Sequence, residues 1–454
     1  MSIEQFGYKQ ELKRTLTFWD LVFYGLIFLV PIAPFGVFGY ISDTSKGMVA
    51  LTYIIGMIGM IFTALSYAKM SQAFPMAGSV YTYAQRGINE YVGFLAGWGI
   101  LLDYILVPAL TYVVSAVSLA GMVPEVPVWF WLVLFISFNT FINIRGVEFT
   151  AKANKIILVL QFMVLSIFLI FGLIALYKGV GGTSLTIKPI YDSSKFNLHM
   201  VMGAVSIAVL SFLGFDAIST LSEEVKGGNK IVGRATVLTL LIAGVLFISQ
   251  TWVASDLIRG LKIENLDTAF YQAAELAGGS WLKNLTLIAT VFSWGIASAL
   301  ASQAAISRLL YSMGRDRKLP SVFAKVHPKF QTPYISTFLV AIVSFSVGMA
   351  FENNIGMLTN IVNFGALIGF LILHISVINH YIIRQKSKKF IQHLVFPLFG
   401  LIIIGYVVYG MDRLAIEIGS VWLIIGAVYM FVLQKVKVGK IEIKKGGSEH
   451  IENH

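Results

Sequence analysis

Residues Leu29 to Gly39 read Leu-Val-Pro-Ile-Ala-Pro-Phe-Gly-Val-Phe-Gly inside an apolar run over about 18–42. Proline deletes a backbone donor and clashes with the turn before it, so Pro31, Pro34, Gly36 and Gly39 predict a helix broken near Pro34 to Gly36. Pro31 and Pro34 also release the carbonyls four residues earlier, those of Ile27 and Val30, as acceptors. A second interruption, Ser211-Phe-Leu-Gly-Phe-Asp216, stands in the apolar run 199–224 and puts an ionisable residue at mid-depth. In hydrocarbon, irregular backbone is tolerated only where it is buried in protein or lines a cavity. Two such breaks are either packing kinks or the halves of a central site. Interrupted segments at corresponding places of two five-helix units favour the second reading, a transporter built from inverted repeats.

The rest of the chain agrees. Of its 454 residues, 57% are hydrophobic and 13% charged, with a mean hydropathy of +0.79. Soluble domains run nearer roughly 45–50% apolar and about 25% charged, so an ordinary cytosolic enzyme, a disordered protein and a secreted scaffold are excluded. With no cysteine, disulfides, thiolate nucleophiles and Cys-ligated zinc are excluded too. No Gly-x-x-x-x-Gly-Lys-Ser/Thr loop occurs, which argues against ATP-driven transport. No catalytic group, metal site or cofactor is expected. The N-terminus is polar and carries no cleavage-site pattern.

A membrane core about 30 Å thick takes roughly 20 apolar residues per helix. That criterion gives twelve spans, at about 18–42, 47–70, 92–121, 127–145, 153–177, 199–224, 232–255, 283–308, 333–351, 356–382, 390–410 and 414–434. The expected class is an all-α integral membrane protein with twelve transmembrane helices. Its parts are an N-terminal segment 1–17, a transporter domain 18–434 and a tail 435–454. The domain divides into a first repeat over about 18–177, a second over about 199–382, and two final helices over about 390–434. Of the 34 Lys and Arg residues, 26 fall on the side of the N-terminus and 8 on the other. The positive-inside rule then predicts that both termini are cytoplasmic. The net charge of +11 is thus an orientation signal with contact to membrane lipid, and not a nucleic-acid footprint.

Several motifs carry a family resemblance. Phe212-Leu-Gly-Phe-Asp-Ala-Ile-Ser-Thr-Leu-Ser-Glu-Glu-Val-Lys226, Pro75-Met-Ala-Gly-Ser-Val-Tyr81, Gly97-Trp98 with Leu102-Asp-Tyr104, and Arg308-Leu-Leu-Tyr-Ser-Met-Gly-Arg-Asp-Arg-Lys-Leu-Pro320 stand in order along most of the chain. They resemble the signatures of the amino acid-polyamine-organocation (APC) permeases. The resemblance implies the LeuT-like five-plus-five inverted repeat, with discontinuous helices 1 and 6 and alternating access. Carriers of amino acids in that family bind the substrate carboxylate on free amides of a Gly-rich first break. The equivalent stretch here is Pro34-Phe35-Gly36, and Pro34 has no N–H to offer. A break poor in donors and rich in acceptors suits a cation better.

Asp103 supplies an acid near the middle of the third span, followed by Pro108, which releases the carbonyl of Tyr104. A charge at the centre of a membrane helix costs about 2.5 to 3.5 kcal/mol on insertion scales, so it faces a cavity or a partner. Some family members carry Glu there, near a fifth-helix Lys implicated in proton coupling. Aligning Gly146-Val-Glu-Phe-Thr-Ala151 on the fifth-helix motif puts Gln161 in the place of that Lys. A substrate ammonium takes the vacant role, unless Asp103 is protonated or satisfied by neighbouring Tyr, Ser or Gln. Asp216 binds a second amine, carries a coupling proton, or caps the second half-helix beside Gly214.

Phe35, Tyr104, Phe212 and Phe215 flank the breaks or Asp103, where cation–π attraction is worth about 0.5 to 2 kcal/mol. The family's aromatic gate falls at Leu210, which leaves Phe212 as the gate or a weaker one. Glu223 and Glu224, with Lys226, Lys230 and Arg234, form an inner gate or a solvated ion-pair cluster. In the eighth span Ser293, Ala297, Ala301 and Ala304 make a small-residue stripe suited to a close helix contact. A sodium site wants an adjacent hydroxyl pair there, whereas Ser298 and Ser302 are one turn apart. His374 and His380 are proton shuttles or satisfied polar core residues.

The sequence therefore predicts a permease of the bacterial plasma membrane, monomeric or homodimeric, importing a small organic cation. A polyamine such as putrescine is favoured, with a proton as the coupling ion if one moves; resemblance to putrescine-importer-like members points the same way. The alternatives are an amino-acid permease or exchanger, and, from another class, a channel or a substrate sensor.

Overall fold

The computed structural model describes residues 16–75, 79–145, 148–180, 184–222, 225–226, 230–261, 263, 265–315, 319–330 and 332–449. Glu223 and Glu224 lie outside these residues. The chain runs as α1 (Phe18–Leu29), α2 (Phe38–Thr44), α3 (Val49–Ala73), α4 (Ser79–Gly87), α5 (Glu90–Met122), α6 (Val128–Arg145), α7 (Glu148–Tyr177) and α8 (Leu198–Phe212). It continues as α9 (Lys230–Leu257), α10 (Ala269–Gly278), α11 (Ser280–Phe292), α12 (Ala299–Arg315), α13 (Tyr334–Phe351), α14 (Ile355–Val377), α15 (Phe396–Tyr409) and α16 (Arg413–Glu449). Among the described residues, 11 helical segments are long and apolar enough to cross a membrane, and α8 is a shorter apolar helix. The protein is all-helical and multi-pass. The sixth expected span is a short helix followed by a 3-10 segment, Phe215–Leu221.

The first break lies earlier than its prolines suggest. α1 starts on a capping box, in which Thr17 Oγ1 accepts from the Asp20 amide and Asp20 Oδ2 accepts from the Thr17 amide at 3.0 Å. The helix then stops at Leu29, and the chain turns through Val30 at φ +57°. Pro34 does not interrupt anything, because it sits in the first turn of a new 3-10 segment, Ala33–Gly36, where a missing amide costs nothing. The Val30 carbonyl, expected to be free, accepts from the Ala33 amide at 2.7 Å. The Pro31 carbonyl is held instead by Gln250 Nε2 of α9 at 3.0 Å. A β-branched residue at positive φ is strained by about 1 to 3 kcal/mol, and this one stands at the centre of the bundle.

The second break follows the same plan with a different residue. Leu213 is extended, and Gly214 turns the chain at φ +111° into the 3-10 segment. Phe28 packs directly on Gly214, where an added Cβ would lie 2.0 Å from the Phe28 ring. The two breaks therefore touch.

α5 and α14 are the most central helices, with 72% of their spans buried, against 17% for α16. α14 approaches α5 backbone to backbone: a Cβ on Gly365 would meet Gly99 O at 2.7 Å and Asp103 N at 2.8 Å. That approach fixes the depth of Asp103. Trp98 and Trp422 donate reciprocally to each other's carbonyls at 2.9 and 2.8 Å, which fastens α16 to α5. Ser293–Ser298, between α11 and α12, is a π-helical stretch. A widened turn of this kind is often found at functional sites. Asn139 Nδ2 donates to the Gly295 carbonyl at 2.7 Å inside it.

Candidate functional site

Both breaks, the middle of α5 and the π-helical stretch meet around one cavity of about 40 Å³. Asp103, Tyr104, Val107 and Thr111 enter from α5, Phe28, Leu29, Val30 and Ala33 from the first break, and Leu210, Leu213, Gly214 and Asp216 from the second. Trp294, Ser298 and Ser302 close it from the eighth span. Spacing explains the two helical sets: residues four apart share a helix face, as do 103, 107 and 111, or 294, 298 and 302.

The two acids differ in how far they are satisfied. Asp216 Oδ2 accepts from the Tyr104 hydroxyl at 3.0 Å, and its Oδ1 accepts from the Gly214 amide at 3.3 Å. Asp216 thus reaches back to the amide at the turn while also facing the cavity. Asp103 is buried at 6% exposure, and its Oδ1 has no hydrogen-bond partner. Leaving a neutral buried acceptor unpaired costs about 1–3 kcal/mol, and a charged one more. Among the described residues, no lysine, arginine or histidine lines the cavity. The site therefore offers two carboxyl groups, one of them with unmet acceptor capacity.

Three aromatic side chains complete the wall: Phe28, Tyr104 and Trp294. Around acids, such rings stabilise an ammonium by cation–π attraction. Trp294 Nε1 is buried without a partner.

Six of the expected site residues come together in this way: Asp103, Asp216, Tyr104, Gly214, Ser298 and Ser302. Pro34, Phe35 and Gly36 do not line the cavity. Phe35 stacks on Phe270 at 3.8 Å between ring centroids, and a Cβ on Gly36 would meet Val114 at 2.9 Å, with Trp294 behind it at 3.4 Å. Phe212 packs between Tyr53 and Phe247, and Phe215 against Tyr67 and Phe370. Both belong to the core, and Leu210, at the family's gate position, faces the cavity in place of Phe212. Gln161 is buried on α7 with Oε1 unpartnered and does not line the cavity. His374 is held by Thr63 at 3.2 Å and Ser66 at 2.9 Å, and His380 by Gln385 at 3.0 Å. Neither reaches the cavity. Glu223 lies outside the described residues.

Phe28, Thr111 and Trp294 were not singled out by the sequence. Trp294 carried a signal, as the only aromatic within the small-residue run Ser293 to Ala301. Phe28 carried a weaker one, two residues before the turn at Val30.

A family model described as amino acid permease matches residues 16–437. The low-affinity putrescine importer PlaP of Escherichia coli is 33% identical over 432 residues, covering 94% of this chain and 94% of its own. The methylthioribose transporter of Bacillus subtilis is 28% identical over 84% of this chain and 83% of its own. The branched-chain amino acid permease BcaP of Bacillus subtilis is 24% identical over 94% of each. All three are transporters or permeases by name, and none is an enzyme. The chain belongs to the amino acid permease family of the APC superfamily.

Proposed function

We propose that this protein imports a small organic cation, with a linear diamine such as putrescine favoured, by alternating access in a twelve-helix, five-plus-five inverted-repeat bundle. The observation that carries the proposal is the buried, unpartnered Oδ1 of Asp103 in a cavity that also presents Asp216 and three aromatic rings. One ammonium takes Asp103 and the faces of Trp294 and Phe28. The second is directed to Asp216, whose carboxylate Tyr104 holds in position. The unlike satisfaction of the two acids makes the first ammonium the tighter one.

The backbone at the breaks supports a cation over a carboxylate. Around the first break the amides of Val30, Ala33, Phe35 and Val37 already donate to carbonyls of the chain. At the second, the Gly214 amide donates to Asp216 itself. These donors are engaged and leave little to hold an anion. That the putrescine importer is 33% identical along nearly the full length agrees with this reading.

The cavity has room for only a few water molecules at about 10–15 Å³ each. Substrate entry therefore requires the segments flanking the breaks to part, which is how alternating access works in such folds. With both termini cytoplasmic, as the distribution of Lys and Arg supports, an inward dication gains about 2.3 kcal/mol per charge per 100 mV. Potential alone can then concentrate it. Any coupling proton resides on Asp103 or Asp216. Ser298 and Ser302 face the cavity one turn apart, an arrangement that suits hydrogen bonding to an amine more than a sodium site.

Proteoliposomes loaded with labelled substrate panels decide the class. Saturable uptake of putrescine, competed by diamines and not by alanine, leucine or arginine, is the expected result. Uptake competed by those amino acids but not by diamines would assign the amino-acid permease instead, and conductance without saturation or counterflow would assign a channel.

A further inference from the structure

A second concavity lies away from the central site, on the face of the bundle where α1 begins. Its walls are two parallel stripes. Leu65, Ala68, Lys69 and Gln72 lie on one face of α3, and Arg234, Val237, Leu238 and Leu241 on one face of α9, each at the spacing that brings helix residues into line. The helices meet at the floor, where a Cβ on Gly233 would lie 2.5 Å from the Ala68 Cβ. The groove is open along one side and offers about 490 Å³ of space.

Its two ends differ in chemistry. Lys69, Lys230 and Arg234 stand at the mouth, while Leu65, Val237, Leu238 and Leu241 continue along the helices into the span. Leu241 is 38% exposed, one to two turns deeper than Arg234 at 1.5 Å per residue. Lys230 and Arg234 are exposed, and no carboxylate pairs with either among the described residues. Lys69 Nζ donates to Gln392 Oε1 at 2.6 Å, a neutral amide that leaves its charge uncancelled. Among the described residues these three cations have no counter-ion, and such a cluster draws an anion. A soluble anion would leave the leucine stripe below it uncovered, whereas a lipid supplies both parts at once.

We propose that this groove binds an anionic phospholipid, its headgroup phosphate held by Lys69, Lys230 and Arg234 and an acyl chain lying along Leu65, Val237, Leu238 and Leu241. Basic pockets between membrane helices on the cytoplasmic side hold such headgroups, and each basic residue near an anionic surface contributes about 1 kcal/mol. The inference is independent of what the central cavity carries. Its walls are α3 and α9, neither of which supplies a residue to the central cavity.

The test is native mass spectrometry of the full chain in detergent, titrated with phosphatidylglycerol or with phosphatidylcholine of the same acyl chains. The wild type is expected to retain phosphatidylglycerol preferentially. At about fivefold per charge, Lys230→Gln should weaken that binding roughly fivefold and Lys230→Gln with Arg234→Gln roughly 25-fold, without changing phosphatidylcholine adducts. The exchange Lys230→Arg with Arg234→Lys should retain it. Equal phosphatidylglycerol binding by wild type and the neutral double variant overturns the proposal. So does displacement of the lipid by inorganic phosphate at equal concentration, which would make the site one for a free anion. Melting temperatures without lipid check folding, and the single variant carries the conclusion if the double one does not fold.

Discussion

The hydroxyl of Tyr104 lies 3.0 Å from Oδ2 of Asp216, joining the middle of α5 to the 3-10 segment beyond the second break. Asp103, one residue earlier on α5, faces the same cavity with an oxygen that nothing occupies. One helix turn thus both restrains one acid and exposes the other. Tyr104→Phe removes the restraint and keeps the ring. Hydrogen bonds to charged groups are worth about 1.5–3 kcal/mol, so KM for a diamine should rise about tenfold to a hundredfold, while uptake of a monoamine analogue changes little. Initial-rate uptake with both substrates checks this.

Gly214→Ala should cost more than any side-chain truncation at the site. Its φ of +111° disfavours a Cβ, and that Cβ would overlap the Phe28 ring at 2.0 Å. The two penalties add, so the variant is expected to lose uptake and melt lower by at least about 1 to 3 kcal/mol. Adding Phe28→Ala relieves the overlap alone and should recover part of the melting temperature but not the uptake.

Trp294 separates a cation site from a merely apolar one. Trp294→Leu keeps an apolar side chain, though a smaller one, and loses the ring face, and affinity for the amine should fall by at least about 0.5–2 kcal/mol, the range of a cation–π contact. Trp294→Phe should recover most of it. Equal loss with Leu and Phe would assign Trp294 a packing role.

On the face opposite the start of α1, Tyr40 of α2 donates to Asp267 Oδ1 at 2.6 Å, and a Cβ on Gly39 would meet the Leu266 carbonyl at 2.1 Å. The segment beyond the first break is therefore latched to the loop before α10. Burial raises the Asp267 carboxyl above its ordinary 3.8, and the Tyr40 hydrogen bond offsets this in part. A raised carboxyl favours the protonated form in the folded state. Its stabilising effect is present below the ordinary value and is lost as pH rises through the raised one. Melting temperature should fall over that window in the wild type relative to Asp267→Asn, which is neutral at every pH. Parallel curves would contradict the assignment.

What was legible in the sequence was chemical rarity. Asp103 and Asp216 stand out because charge is scarce in the spans, and Gly214 because only a break needs it; all three line the cavity. Aromatic residues were too common to sort. Phe35, Phe212 and Phe215 sit beside the breaks yet turn into the core, because a helix that has just been interrupted presents faces that no fixed period predicts. Phe35 finds Phe270, a partner more than two hundred residues away. The first break was misplaced for a related reason: proline acts on the turn before it, so Pro31 ends α1 at Leu29, while Pro34 is accommodated at the start of the next segment.

The central claim is that Asp103 is the acceptor for a substrate ammonium, and the most direct measurement is uptake of labelled putrescine by Asp103→Asn in proteoliposomes at matched protein content. The account predicts that uptake is abolished while the melting temperature without substrate holds, since Asn keeps the size and polarity of the side chain. Undiminished uptake by Asp103→Asn would contradict it.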